Sequence, residues 1–467
     1  MDSRALQAAL DYVPQYLEFQ MRSSQQPGCS VAIAHKGRVV FERAFGFADA
    51  VAGTELTPRH RFRVASHSKS FTAAGIMLLR EAGRIKLDDR AGEYVGGLHR
   101  DVGRATVAQL LSHSAGIVRD GADSGQWVDR RPFLNGAELR DALAAKPVLP
   151  NASRFKYSNH GFGLLGLIVE AVAGQGYNEW IAARARARAG LRETPPATPP
   201  PRGGALASGP RGPRPLGRRV AIPGRNSTAA LASATGFVST AADLARFYAQ
   251  IDPAAKKSFL SAESRREMVR RQWRDPHSSL ERYYGLGTIN GTTAGWDHSG
   301  HSGGFQGFIT RSAALLGRDL SVSVLTNAAD GMSHFWFDGI VNVLSAFAKN
   351  GAPKGAAKSW AGRWWSLWGC TDFVPMGDKV FAAAPALVNP LMDASEIRLT
   401  GRDAGVIALA GGFAHHGESV RRVRNASGRV AEMWMSGNRL MSEARVAAEI
   451  ARRYEAGRAP KGRRKQG

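Results

Sequence analysis

Cysteine is almost missing from this chain. Cys29 and Cys370 are the only two in 467 residues, which excludes both a disulfide framework and a zinc cluster built on cysteines. No His-Glu-x-x-His occurs, nor a phosphate-binding Gly-x-x-x-x-Gly-Lys-Ser/Thr, nor a dinucleotide fingerprint, so the sequence implies no metal and no cofactor. Long apolar runs are absent as well. The most apolar stretch, residues 161–169, stops at Glu170 and is too short to span a bilayer. The opening Met1-Asp2-Ser3-Arg4 has an early acid and leads into no apolar signal core. That points to the cytoplasm, or to the periplasm if a leader has been removed.

Acidic side chains are scarce: 39 Asp and Glu face 63 Lys and Arg, for a net charge of +24. Such an excess attracts polyanions. The arginines are nevertheless spread along the chain, as at Arg184, Arg186 and Arg188, and no nucleic-acid motif accompanies them, so no specific nucleic-acid partner is expected. Residues 456–467 read as a basic, disordered tail. A hydrophobic content of 43% with 22% charged residues suits a globular protein of two or three domains, and nothing in the sequence sets an oligomeric state.

Two strands read early, Cys29 to Ala34 and Val39 to Phe45, joined through His35-Lys36-Gly37-Arg38 as a hairpin. Two more come late, Phe305 to Thr310 and Leu320 to Leu325, the second with near-strict alternation. Mostly helical sequence lies between. Residues 192–226 are rich in Pro, Gly and Arg and read as loop. After about Trp360 the character changes to short strand candidates, 380–384, 396–399, 420–424 and 430–435, the last two joined by a turn at Ala426-Ser427-Gly428. The expected organisation is one domain over 1–350, a small β-rich domain over 351–455, and the tail.

The residue with most chemistry around it is Ser66, in Arg63-Val64-Ala65-Ser66-His67-Ser68-Lys69. Residues i and i+3 share one helix face, so a helix starting at Ser66 aims Lys69 at its hydroxyl, and the positive helix end favours an alkoxide. A Ser N-cap followed by a solvated Lys is the ordinary meaning of such a pair. Two further segments raise its value: Tyr157-Ser158-Asn159 and His301-Ser302-Gly303-Gly304. A serine hydroxyl needs a base within hydrogen-bond reach to attack an ester or amide, and both Lys69 and Tyr157 are candidates if their surroundings tune them. His67, His113, His160 and His298 read as packing or hydrogen-bonding residues. Gly300-His301-Ser302-Gly303-Gly304 fits Gly-x-Ser-x-Gly by letter, but strand-like sequence follows where a nucleophile elbow needs a helix.

Taken in order, Ser66-x-x-Lys69, Tyr157-x-Asn159 and His301-x-Gly303 resemble the three signatures of the penicillin-recognising serine hydrolases, the β-lactamase-like family of class C β-lactamases, DD-peptidases, D-aminopeptidases and related esterases. Residues 82–89, 110–116 and 234–247 resemble further segments of that family, so the likeness runs from about residue 10 to 345. It implies an α/β fold, an antiparallel sheet flanked by helices with a helical lobe, with the smaller C-terminal β domain added, similar to the lipocalin-like additions of some members. It also implies acylation of Ser66, proton traffic shared by Lys69 and Tyr157, and substrate contacts from Asn159, His301, Ser302, Gly303 and Gly304. The oxyanion would be met by the backbone N–H groups of Ser66 and Gly304. The expected substrate is a small carboxylic ester or D-amino-acid-type amide, ranked above a β-lactam because His301 stands where dedicated β-lactamases usually present Lys. A β-lactamase is the alternative, and a non-catalytic scaffold on the same fold the third reading.

Overall fold

The computed structural model describes residues 1–196, 206–210, 217–222, 224–276, 281–412 and 415–455. It brings the early and late strands into one nine-stranded antiparallel sheet. The order is Thr54–Glu55, Arg38–Asp49, Gly28–His35, Leu320–Thr326, Phe308–Leu315, Trp296–Phe305, Ile289–Thr293, Tyr283–Tyr284 and Trp273–Arg274. Gly28–His35 sits centrally, pairing Val31 with Val324 on one side and Arg43 on the other, and its apolar run is buried throughout. Leu320–Thr326 alternates apolar residues with serines, and the serine face is buried as fully as the other. The reason is the helix Ala241–Ile251, which covers that face: Ser321 Oγ donates to Ala245 O at 2.6 Å and Ser323 pairs with Ser312 at 2.8 Å, so the polar positions are satisfied inside.

One expected strand is corrected. Phe305 to Thr310 is not continuous but is cut by a two-residue turn at Gln306-Gly307 between Trp296–Phe305 and Phe308–Leu315. Gly307 holds φ +79° and packs backbone to backbone on Gly209, a conformation and a contact that a side chain would prevent. The 192–226 stretch is loop apart from a short ladder between Gly209–Pro210 and Ala221–Ile222 among its described residues.

The described residues form two compact units, one within residues 24–337 and one of residues 1–23 with those from 338 onward. These divide the chain elsewhere than the 1–350 and 351–455 boundaries read from the sequence. The helix Ser3–Ser23 belongs with the C-terminal segment because its polar side chains are tied there: Tyr12 OH donates to Asp372 at 3.0 Å, Tyr16 OH to Val388 O at 2.6 Å and Gln20 Nε2 to Pro385 O at 2.6 Å. The unit's eight antiparallel strands run in sequence order from Gly362–Ser366 to Asn438–Leu440. Trp365 and Met441 then exchange backbone hydrogen bonds at 2.7 and 2.8 Å, closing the sheet into a barrel. Its interior is filled by Phe373, Val380, Ile397, Ile407, Val420 and Met433. The basic tail lies outside the described residues. Among the described residues no helix is long and apolar enough to cross a membrane.

Candidate active site

Helix His67–Glu81 runs through the core of the larger unit, with all residues from His67 to Leu79 buried. Phe71 stacks on Phe237 at 4.6 Å and meets Phe247 in a tilted contact at 4.3 Å, and Gly83 at φ +68° ends the helix. Ser66 stands at its N-cap but makes no side-chain cap bond. Its Oγ instead lies 3.1 Å from Lys69 Nζ and accepts from Tyr157 OH at 2.9 Å. The preceding Ala65 is buried at φ +46°, a left-handed conformation that costs a non-glycine residue about 1–3 kcal/mol and gathers at functional sites.

Lys69 is fully buried. Its Nζ also donates to Asn159 Oδ1 at 2.7 Å and to Ala234 O at 2.9 Å. Desolvation pushes this amine well below the usual lysine range and Arg119 adds to the effect, while Asp120 opposes it. Tyr157 moves the other way: burial among its neighbouring rings raises the phenol above its ordinary value, with the Ser66 hydrogen bond and Arg119 opposing. Desolvation outweighs Arg119 at this phenol.

The Tyr157 segment is pinned by a second one. His113, at φ +59°, accepts Lys156 N on its carbonyl at 2.7 Å and Ser158 N on Nδ1 at 3.1 Å, and its ring lies 4.2 Å from that of Tyr157. This is the packing and hydrogen-bonding part read for His113, and it gives the 110–116 segment a physical purpose. Ser158 then caps helix Asn159–Ala173 by accepting from Gly161 N at 2.9 Å, which places Asn159 in the first turn beside Lys69.

His301 lies on Trp296–Phe305, buried, with Nε2 2.9 Å from Tyr284 OH. Desolvation, reinforced by Lys69, holds its imidazole down to about 3; it is uncharged at neutral pH. Ser66, Tyr157, Asn159, His301, Ser302 and Gly304 line one cavity of about 370 Å³. Gly303 does not line it. Its Cα faces Val64 O so closely that a Cβ has no room, and this contact lays the strand against the residues leading into Ser66.

Sequence reading missed four cavity or wall residues, Arg119, Asp120, Trp127 and Tyr284. Asp120 accepts from Asn159 Nδ2 at 2.6 Å and from Trp127 Nε1 at 2.9 Å. Only Tyr284 had a usable signal, in the run Tyr283-Tyr284-Gly285-Leu286-Gly287. There Gly287, at φ +67°, abuts Ala73 and the Lys69 carbonyl, and its own carbonyl accepts from Ser70 Oγ at 2.7 Å. A second chamber shares Arg119, Trp127 and Gly304 with the first and is bordered by Ala221 and Ile222 of the 192–226 stretch.

The nine-stranded sheet and the helices of this unit hold a half-buried Ser66 against a fully buried Lys69, and comparison with known proteins gives the family. The Beta-lactamase family profile matches residues 13–339; the chain belongs to that family of serine hydrolases. Among curated relatives, the Protein flp of Staphylococcus aureus (strain MW2) is 28% identical over 172 residues, 35% of this chain and 34% of that protein. The chain therefore matches only about a third of that relative's length. Among solved structures, the octameric penicillin-binding protein homologue from Pyrococcus abyssi has a TM-score of 0.64 at 22% identity, covering 92% of this chain and 99% of that one. The D-amino acid amidase from Ochrobactrum anthropi SV3, complexed with D-phenylalanine, has a TM-score of 0.63 at 21% identity over 73% and 99%.

Proposed function

We propose that this protein hydrolyses a small carboxylic ester or D-amino-acid-type amide through an acyl-enzyme on Ser66. The observation that carries this reading is the convergence of Lys69 Nζ at 3.1 Å and Tyr157 OH at 2.9 Å on one serine oxygen. Donor accounting supports the roles. A neutral lysine amine has two N–H groups and one lone pair, and Asn159 Oδ1 and Ala234 O take the two N–H groups. The lone pair is left for the Ser66 hydroxyl. Lys69 is then the base, accepting the proton as Ser66 Oγ bonds to the carbonyl carbon. Tyr157, kept protonated by burial, passes its proton to the departing alcohol or amine as the carbonyl–leaving-group bond breaks, and the Lys69 ammonium returns a proton to the phenol, so that both groups end neutral. Water repeats the attack on the ester of Ser66 and frees the acid. Backbone N–H groups of Ser66 and Gly304 meet the oxyanion, a contribution of about 2.7–4 kcal/mol for each such donor.

The likeness to a D-amino acid amidase supports an amide, and an uncharged His301, engaged with Tyr284, offers a substrate carboxylate no permanent cation. A second reading, a β-lactamase or another hydrolase of anionic substrates, is favoured by one observation: Arg119 and Arg282 both line the cavity. Intact mass spectrometry after exposure to activated neutral esters, D-amino-acid amides and penicillins separates them. An acyl adduct from the first two groups, lost in Ser66→Ala, is expected. Adducts that persist in Ser66→Ala remove the nucleophile assignment, and faster acylation by penicillins reverses the ranking.

A further inference from the structure

Asp120 is a buried carboxylate, 9% exposed, behind the cleft-lining Asn159, Trp127 and Arg119, with both oxygens engaged. Oδ1 accepts from Asn159 Nδ2 at 2.6 Å and Trp127 Nε1 at 2.9 Å, and Oδ2 pairs with Arg119 Nε at 3.0 Å. Its loop is stitched to the catalytic helix turn, for Asn159 N donates to Arg119 O at 3.0 Å. The Asn159 amide has two ends of equal size and opposite polarity, so its orientation is set by its partners alone. A carboxylate accepts and never donates. Nδ2 must therefore turn to Asp120, which leaves Oδ1 for Lys69 Nζ at 2.7 Å. With the amide reversed, Lys69 would face a donor.

We propose that Asp120 is a positioning residue for the reaction: its carboxylate fixes the Asn159 amide so that Lys69 Nζ is aimed at Ser66 Oγ, and it ties that point to Trp127 and Arg119 in the cleft wall. The inference rests on the reading of Ser66 as nucleophile. It treats the Asp120–Asn159–Lys69–Ser66 chain as a supporting shell that holds a reactive pair in register. It also carries an electrostatic consequence. The charged and titratable groups facing Lys69 are Asp120 and Arg119 from the loop, Tyr157 with its ring 4.8 Å from Nζ, His113, and His301 from the sheet. Arg119 and His160 face Asp120. Asp120 is thus the anion in that set, and it favours the ammonium form of Lys69. A base works only when neutral, so the rate rises with pH as Lys69 loses its proton, and removing the Asp120 charge moves that rise to lower pH.

The test is the rate of Ser66 labelling by a fluorophosphonate across pH in wild type, Asp120→Asn and Asp120→Glu, with the labelled peptide identified by mass spectrometry. Asp120→Asn keeps the volume and loses the charge. Its acid limb should move down by about one pH unit, and its plateau should fall about 10- to 100-fold as the amide loses its fixed orientation. Asp120→Glu, which keeps the charge, should leave the limb where wild type has it. A purely structural aspartate would lower the melting temperature and leave the limb in place. An unmoved limb in folded Asp120→Asn, or failure of both variants to fold, overturns the proposal. If wild type is not labelled at Ser66, the parent reading falls first and takes this one with it; labelling at Ser66 with an unmoved limb removes Asp120 alone.

Discussion

Tyr157→Phe deletes one oxygen and tests how work is divided around Ser66. The ring itself is held without that oxygen, by His113 at 4.2 Å, Tyr284 at 6.3 Å and Lys69 Nζ at 4.8 Å from its centroid. Only the 2.9 Å hydrogen bond to Ser66 Oγ is lost, worth about 1 kcal/mol to the fold. If the phenol relays a proton, the rate falls about 10²–10⁴-fold, or about 3–5 kcal/mol of barrier at about 1.4 kcal/mol per tenfold. The loss in activity therefore exceeds the loss in stability several-fold. Hydrolysis of an activated ester should be followed across pH beside urea unfolding. Burial lowers Lys69, so in wild type the rate rises with pH and levels off below the pH at which a free lysine would titrate. Burial raises Tyr157, so no phenolate forms below pH ~10 and no second limb intrudes there. The same rise should survive in the Phe variant, displaced only in height. A variant with nearly wild-type rate, or one in which the rise has vanished, would refute the division between lysine base and tyrosine donor.

Gly303→Ala should force the strand away from the Ser66 segment, because a Cβ there collides with Val64 O. The expected cost is about 1–3 kcal/mol of overpacking with slower acylation, read by unfolding midpoint and labelling rate, and wild-type acylation in a folded variant would contradict the contact. Phe71→Ala empties the stack between Phe237 and Phe247 and should cost about 3–5 kcal/mol. A loss under about 1 kcal/mol by urea unfolding would mean that the stack closes up around the gap.

What the sequence showed and hid follows from the range of the interactions involved. The Ser66–Lys69 pair is local, one helical turn, and was legible from spacing alone. The convergence of Tyr157 and His301 depends on a sheet assembled from both ends of the chain, and it was legible because the three motifs resemble a known order. Asp120 left no trace, since an Asp after an Arg in a Gly- and Ser-containing loop has no period and no spacing partner; its meaning arises only when Asn159 reaches it across the fold. The turn at Gln306-Gly307 was hidden by apolar residues on both sides. The attachment of helix Ser3–Ser23 to the barrel unit likewise rests on hydrogen bonds spanning more than 350 residues, beyond any local pattern.

The direction of the two shifts explains why so much of the site is buried. Desolvation penalises whichever form is charged, so one environment lowers an amine and raises a phenol. Here it favours the neutral form of Lys69, the form that can accept a proton, and the neutral form of Tyr157, the form that can donate one. A solvated site would make both groups useless at neutral pH, one already protonated and the other merely one donor among waters. Pairs of titratable groups pushed apart in this way mark acid and base assignments. Under the proposed reaction no side chain contacting Ser66 Oγ is charged before attack. The first charges to appear beside the serine are the oxyanion and the Lys69 ammonium, created together at short range in a place with little water, where their attraction is strongest. The strained Ala65 and the buried amine are then costs in folding stability that fall at the one place where they lower a barrier.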